Sequence, residues 1–121
     1  MARTSIDCSD LIGQPWSVPE SDCLAASTAL LRRAGMHGAA ESLVDCCSQG
    51  APQAAWRELG NGEPLQVGDI LISEEPDGLM HVSAVCEPTR ERVISSSRHH
   101  GVFITRITKI RGRVGVYRYE S

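Results

Sequence analysis

The hydrophobic pattern of this chain changes period once, at Gly60-Asn61-Gly62, and that change limits the folds open to it. Before the break, apolar residues recur at helical spacing. Leu24, Thr28 and Leu31 fall on one face, and Ala25, Ala29 and Leu30 widen the stripe. Ser21 or Asp22 is positioned to cap this helix, predicted over about residues 23–34, and Gly35 to end it. Further helices are expected over Ala39–Cys47 and Pro52–Leu59, the latter with proline in a tolerated first-turn position. After the break the period approaches two. Strands are expected at 67–72, 81–86, 92–96, 101–107 and 113–119, with a polar turn at 74–78. Helices first and closely spaced strands afterwards predict an α+β fold, with N-terminal helices packed on an antiparallel meander of four to six strands. With 121 residues and no long linker or repeat, 1–121 reads as one domain.

Several functions are disfavoured at once. A net charge of −3 and only five aromatic residues argue against a nucleic-acid binder. No apolar run reaches the roughly 18–20 residues of a bilayer crossing, so membrane insertion is not expected. Residues 1–7 contain no apolar stretch of the secretory type, so no leader is expected either. Charge is uneven: from Arg90 to Arg118 there are eight basic residues and one acid, Glu91. That stretch is read as a solvated strand face or as a positive edge meeting an anionic partner.

Five cysteines (8, 23, 46, 47 and 86) form an odd set without a Cys-x-x-Cys pair, so neither a disulfide framework nor a metal site is expected. Cys23 differs from the rest because it opens a helix, where unpaired N–H groups and the helix dipole favour a thiolate. Its own amide faces the space where an oxyanion forms. A thiol nucleophile needs a base, and the candidates are His37, His81, His99 and His100. His81 opens a strand directly after a loop, while the others lie in expected loops and turns.

Four ordered blocks spanning about residues 11–118 resemble the NlpC-type cell-wall cysteine peptidases, a compact papain-like family that also occurs on bacteriophage tails. Leu11-Ile12-Gly13-Gln14-Pro15-Trp16 is similar to the entry segment Leu-Gly-Thr-Pro-Tyr. Asp22-Cys23-Leu24 resembles the nucleophile helix. Val67-Gly68-Asp69-Ile70-Leu71 resembles Pro-Gly-Asp-Leu-Val, and His81-Val82-Ser83-Ala84-Val85 resembles the strand that begins with the catalytic base. The resemblance implies a papain-like NlpC-type fold. It casts Cys23 as nucleophile and His81 as base. Ser95 takes the orienting place where the family usually carries histidine, with His99 or His100 as the alternatives. Trp16, in place of the family's tyrosine, and Asp22 are then assigned to the oxyanion and substrate side. The implied activity is cleavage of peptidoglycan stem peptides without metal or organic cofactor, by a protein made in the bacterial cytoplasm and carried on a phage tail beside other tail-tip proteins. The alternative is a tail-tip structural subunit that kept the fold and lost efficient catalysis.

Overall fold

The computed structural model describes residues 5–17, 22–49, 55–76 and 78–120. Two helices, α1 (Cys23–Arg33) and α2 (His37–Gln49), precede six strands. These are β1 (Trp56–Glu58), β2 (Ile70–Glu74), β3 (Met80–Glu87), β4 (Arg92–Ser97), β5 (Gly101–Arg106) and β6 (Arg113–Tyr119). The class is α+β, as expected.

Helix α1 begins where its cap allows. The Asp22 carboxylate accepts the amide of Ala25 at 2.8 Å, satisfying one of the orphan N–H groups of the first turn. Gly35, at φ +78°, turns the chain left-handed after the last turn, which costs glycine nothing and a side-chain-bearing residue much more. Cys23 therefore heads α1, although at 11 residues this is shorter than the 13-residue α2.

The third predicted helix is not formed where the structure can be described: residues 56–58 are β1, and residues 51–54, with Pro52, lie outside the described residues. Trp56 pairs with Tyr119 across strands far apart in sequence, and their rings meet edge to face with centroids 5.4 Å apart. Aromatic pairing across the sheet outweighs local helix preference in this segment.

The strands form one antiparallel sheet in the order β1-β6-β2-β3-β4-β5. Only β2 to β5 form the expected meander. β6 returns to the far side of β2 and separates it from β1. Alternation then divides the sheet's residues between two faces. Ile70, Val82, Ala84, Ile94 and Val102 face the helices and pack with Leu30, Leu31 and Leu43. Leu71, Val85 and Val93 face the other way, under Ile107, Leu65 and Ile110. Helix α1 lies across β3 and β4.

The Gly68-Asp69 pair is accounted for by packing. Gly68 stands at φ +90°, a conformation that strains any residue with a side chain, and a Cβ there would also have to push aside the flexible end of Met36. Asp69 is 1% exposed and holds Arg118 of β6 through two bonds of 2.8 and 2.9 Å. It also accepts the amide of Gln66 at 2.7 Å. This fork joins the entry to β2 with β6.

Candidate active site

Cys23 and His81 approach the beginning of β3 from different sides. The thiol lies at the N-terminal end of α1, where the backbone amides of Val82, the residue after His81, of Leu24 and of Cys23 itself each act to lower its pKa. These backbone dipoles favour negative charge on the sulfur. Burial acts more strongly in the opposite direction and holds the thiol above its ordinary pKa. Cys23 is therefore a neutral thiol at rest, not the thiolate expected from helix position alone.

His81 belongs to the alternate set of β3, with Ser83 and Val85, on the face turned away from α1. Its Nε2 lies 2.5 Å from Ser95 Oγ on β4, and the Ser83 hydroxyl donates to Ser95 at 3.1 Å. Its Nδ1 faces Glu75 Oε1 at 3.5 Å. Burial lowers the imidazole pKa, and the Glu75 charge raises it by less. The ring is neutral near pH 7, as a general base must be.

Among the described residues no hydrogen bond joins Cys23 to His81. β3 begins at Met80, one residue before His81. The nitrogen that would accept the thiol proton is turned towards Glu75. With the ring proton on Nε2, His81 donates to Ser95 and Nδ1 is free to act as a base. With it on Nδ1, the ring donates towards Glu75 and accepts from Ser95.

Glu75 is the participant that the sequence reading missed. It falls in the segment read only as a polar turn, but the register of β2 and β3 sets Ser73 opposite His81 and brings the following turn alongside the ring. Ser95, His81 and Glu75 repeat the order of a serine-hydrolase triad. Ser95 is fully buried, however, so no substrate reaches its hydroxyl and its part is to orient the ring.

The other expected site residues are held in different ways. The Asp22 carboxylate is committed to the helix cap. Trp16 lies beneath the Arg98 guanidinium, 5.0 Å from its ring centre, and is not among the residues lining the cavity beside Cys23. His99 and His100 are exposed, and the His100 ring stands edge-on to Phe103. His37 opens α2 and is exposed. Neither His99 nor His100 replaces Ser95 as the partner of His81.

Cys46 and Cys47 line the same cavity as Cys23. Burial pushes the Cys47 thiol up to about 11, and Cys86, in the core, also to about 11. Among the described residues no three His, Cys, Asp or Glu side chains gather in a way that would hold a metal ion. No described helix is long and apolar enough to cross a membrane. Comparison of the chain with protein-family models, with curated proteins and with solved structures gave no match.

Proposed function

We propose that this chain is a cysteine hydrolase of the NlpC type, with a papain-like fold, that cleaves amide bonds in peptidoglycan stem peptides from a bacteriophage tail. The observation that carries the reading is that the Cys23 thiol, at the head of α1, lines one cavity with Met80 and Val82, the two neighbours of His81 on β3. It brings a helix-heading thiol to the start of the strand that carries a part-buried, neutral histidine, whose ring at rest lies on the other face. In the first step His81 turns from Glu75 towards the thiol, and Nδ1 takes the proton as Sγ attacks the carbonyl carbon. The C–S bond forms and the oxyanion is received by N–H groups at the start of α1. Collapse breaks the C–N bond, and His81 returns the proton to the leaving amine. Water, deprotonated by the same ring, then cleaves the thioester and restores the thiol. Ser95 holds the imidazole in its resting position between turnovers. The basic residues from Arg98 to Arg113, as distinct from Arg118, which Asp69 holds, steer a substrate bearing free carboxylates.

The test is release of new amino termini from purified peptidoglycan. Wild-type protein releases them, while Cys23→Ala does not and His81→Ala nearly fails. Wild-type protein that is inert on several peptidoglycan chemotypes overturns the reading.

A second reading, a tail-tip subunit without catalysis, is favoured by the neutral, half-buried thiol and by the orientation of Nδ1 towards Glu75. It expects no turnover and normal particle assembly by Cys23→Ala. An enzyme carried on the particle would instead assemble normally with Cys23→Ala but penetrate the wall more slowly.

A further inference from the structure

Cys23 opens onto a cavity of about 410 Å³ between the helices and the sheet. That volume lies within the range of small-molecule sites, about 300–1,000 Å³. Leu24 and Leu43 form the helical side, and Ile72, Val82, Trp56 and Tyr117 form the sheet side. No Asp, Glu, Lys, Arg or His is among the described lining residues. The Trp56 N–H is already bonded to Ser42 Oγ at 2.9 Å, so it offers nothing to a ligand. Met80 and Val114, 56% and 52% exposed, also line the cavity and so stand at its mouth. Large apolar side chains left in water around an apolar cleft are a mark of a binding site.

This chemistry limits the occupant. A peptide threaded into the cavity would bring amide groups that need partners, and the described lining residues supply little beyond the Tyr117 hydroxyl and the thiols. Small or acidic side chains would leave most of the space unfilled. An aliphatic chain needs only apolar contact, and it can carry a carbonyl at the end where Cys23 stands.

We propose that the cavity is an acyl subsite: it takes the aliphatic chain of an acyl ester, thioester or amide and sets its carbonyl against Cys23 Sγ. The assignment of Cys23 as nucleophile rests on the function proposed above, and the substrate class goes beyond it. The thiol attacks the acyl carbon, the bond to the leaving alcohol, thiol or amine breaks, and the thiol proton passes through His81 to that leaving group. Water then releases the fatty acid and restores the thiol.

The test uses p-nitrophenyl acetate, butyrate and octanoate with the full chain, beside octanamide binding to Cys23→Ala measured by calorimetry. Burial of each methylene is worth about fourfold, so kcat/KM rises by about that factor per carbon until the cavity is full. Val114→Trp, checked for folding by circular dichroism, narrows the mouth and lowers the octanoate-to-acetate ratio at least tenfold. Turnover that is flat with chain length, or that rises only for peptide anilides with apolar side chains, overturns the acyl subsite and leaves the thiol chemistry standing. No ester turnover, with octanamide bound by Cys23→Ala and not by the variant that also carries Val114→Trp, upholds the cavity as an acyl site and removes the hydrolase reading. Neither turnover nor binding overturns both.

Discussion

Ser95 Oγ lies 2.5 Å from His81 Nε2, joining β4 to the start of β3, and Ser83 donates to the same oxygen at 3.1 Å. The ring is thus anchored from the buried side of the sheet by two hydroxyls, with no second charge there to stabilise an imidazolium. Among the described residues the charge facing it is Glu75, half exposed and at the other nitrogen.

Ser95→Ala removes the anchor without opening the site to solvent. One hydrogen bond between neutral groups is worth about 1 kcal/mol, or about fivefold in rate. On the proposed function, the variant is expected to retain about a fifth of wild-type kcat on purified peptidoglycan. Ser95→His gives His81 an imidazole partner where the strand has room, and an increase in kcat would show that the hydroxyl limits the wild type.

Protonation of His81 gives two measurable pH effects. Burial holds its pKa below the ordinary 6.5, so the acid limb of kcat/KM is expected below that value. Glu75→Gln removes the one raising influence and moves the limb further down. Stability follows the same sign. The unfolded chain binds a proton more readily than the folded one, so this contribution is intact above about 6.5 and is lost as pH falls towards the folded pKa. Urea unfolding at several pH values measures it, and a contribution that grew on acidification would contradict a lowered imidazole pKa.

Removing the Asp22 cap frees the amide of Ala25 and costs about 1 kcal/mol in chemical denaturation. Because the cap sets the first turn that carries Cys23, Asp22→Ala is also expected to lower kcat, whereas Asp22→Asn, which keeps the acceptor, restores most of both.

Arg118→Met leaves the Asp69 carboxylate buried without its fork. Breaking a buried pair on one side typically costs about 3–5 kcal/mol, so the variant should unfold at much lower urea than wild type. The double variant Asp69→Asn with Arg118→Met should recover a large part of that loss. A single Arg118→Met with wild-type stability would show that the pair contributes little.

The parts of the fold legible in the sequence were those set by near neighbours. The α1 boundaries follow from Asp22 and Gly35, and β2 to β5 follow from alternating side chains and turn residues. β1 was not legible, because Trp56 becomes a strand residue only through Tyr119, at the far end of the chain. The insertion of β6 beside β2 was hidden for the same reason, although Asp69 and Arg118 are its charged fastening. At the site, a cysteine at a helix start and a histidine at a strand start could be found by position. Whether they touch depends on which face of β3 carries the ring and on where the turn containing Glu75 folds back. Asp22 shows the opposite difficulty: a carboxylate beside a nucleophile looked like site chemistry, but its oxygen was needed by the backbone.

The strand order also bears on synthesis. β6 is made after every other strand yet lies inside the sheet, so β2 has a bare edge while the ribosome is still translating residues 113–119. A nascent chain can close the β2–β5 hairpins early, but that edge remains open to neighbouring polypeptides until the late strand slots in. Slow decoding just upstream of residue 113 would lengthen this exposure, and a chaperone acting on the emerging chain would have most to protect at β2.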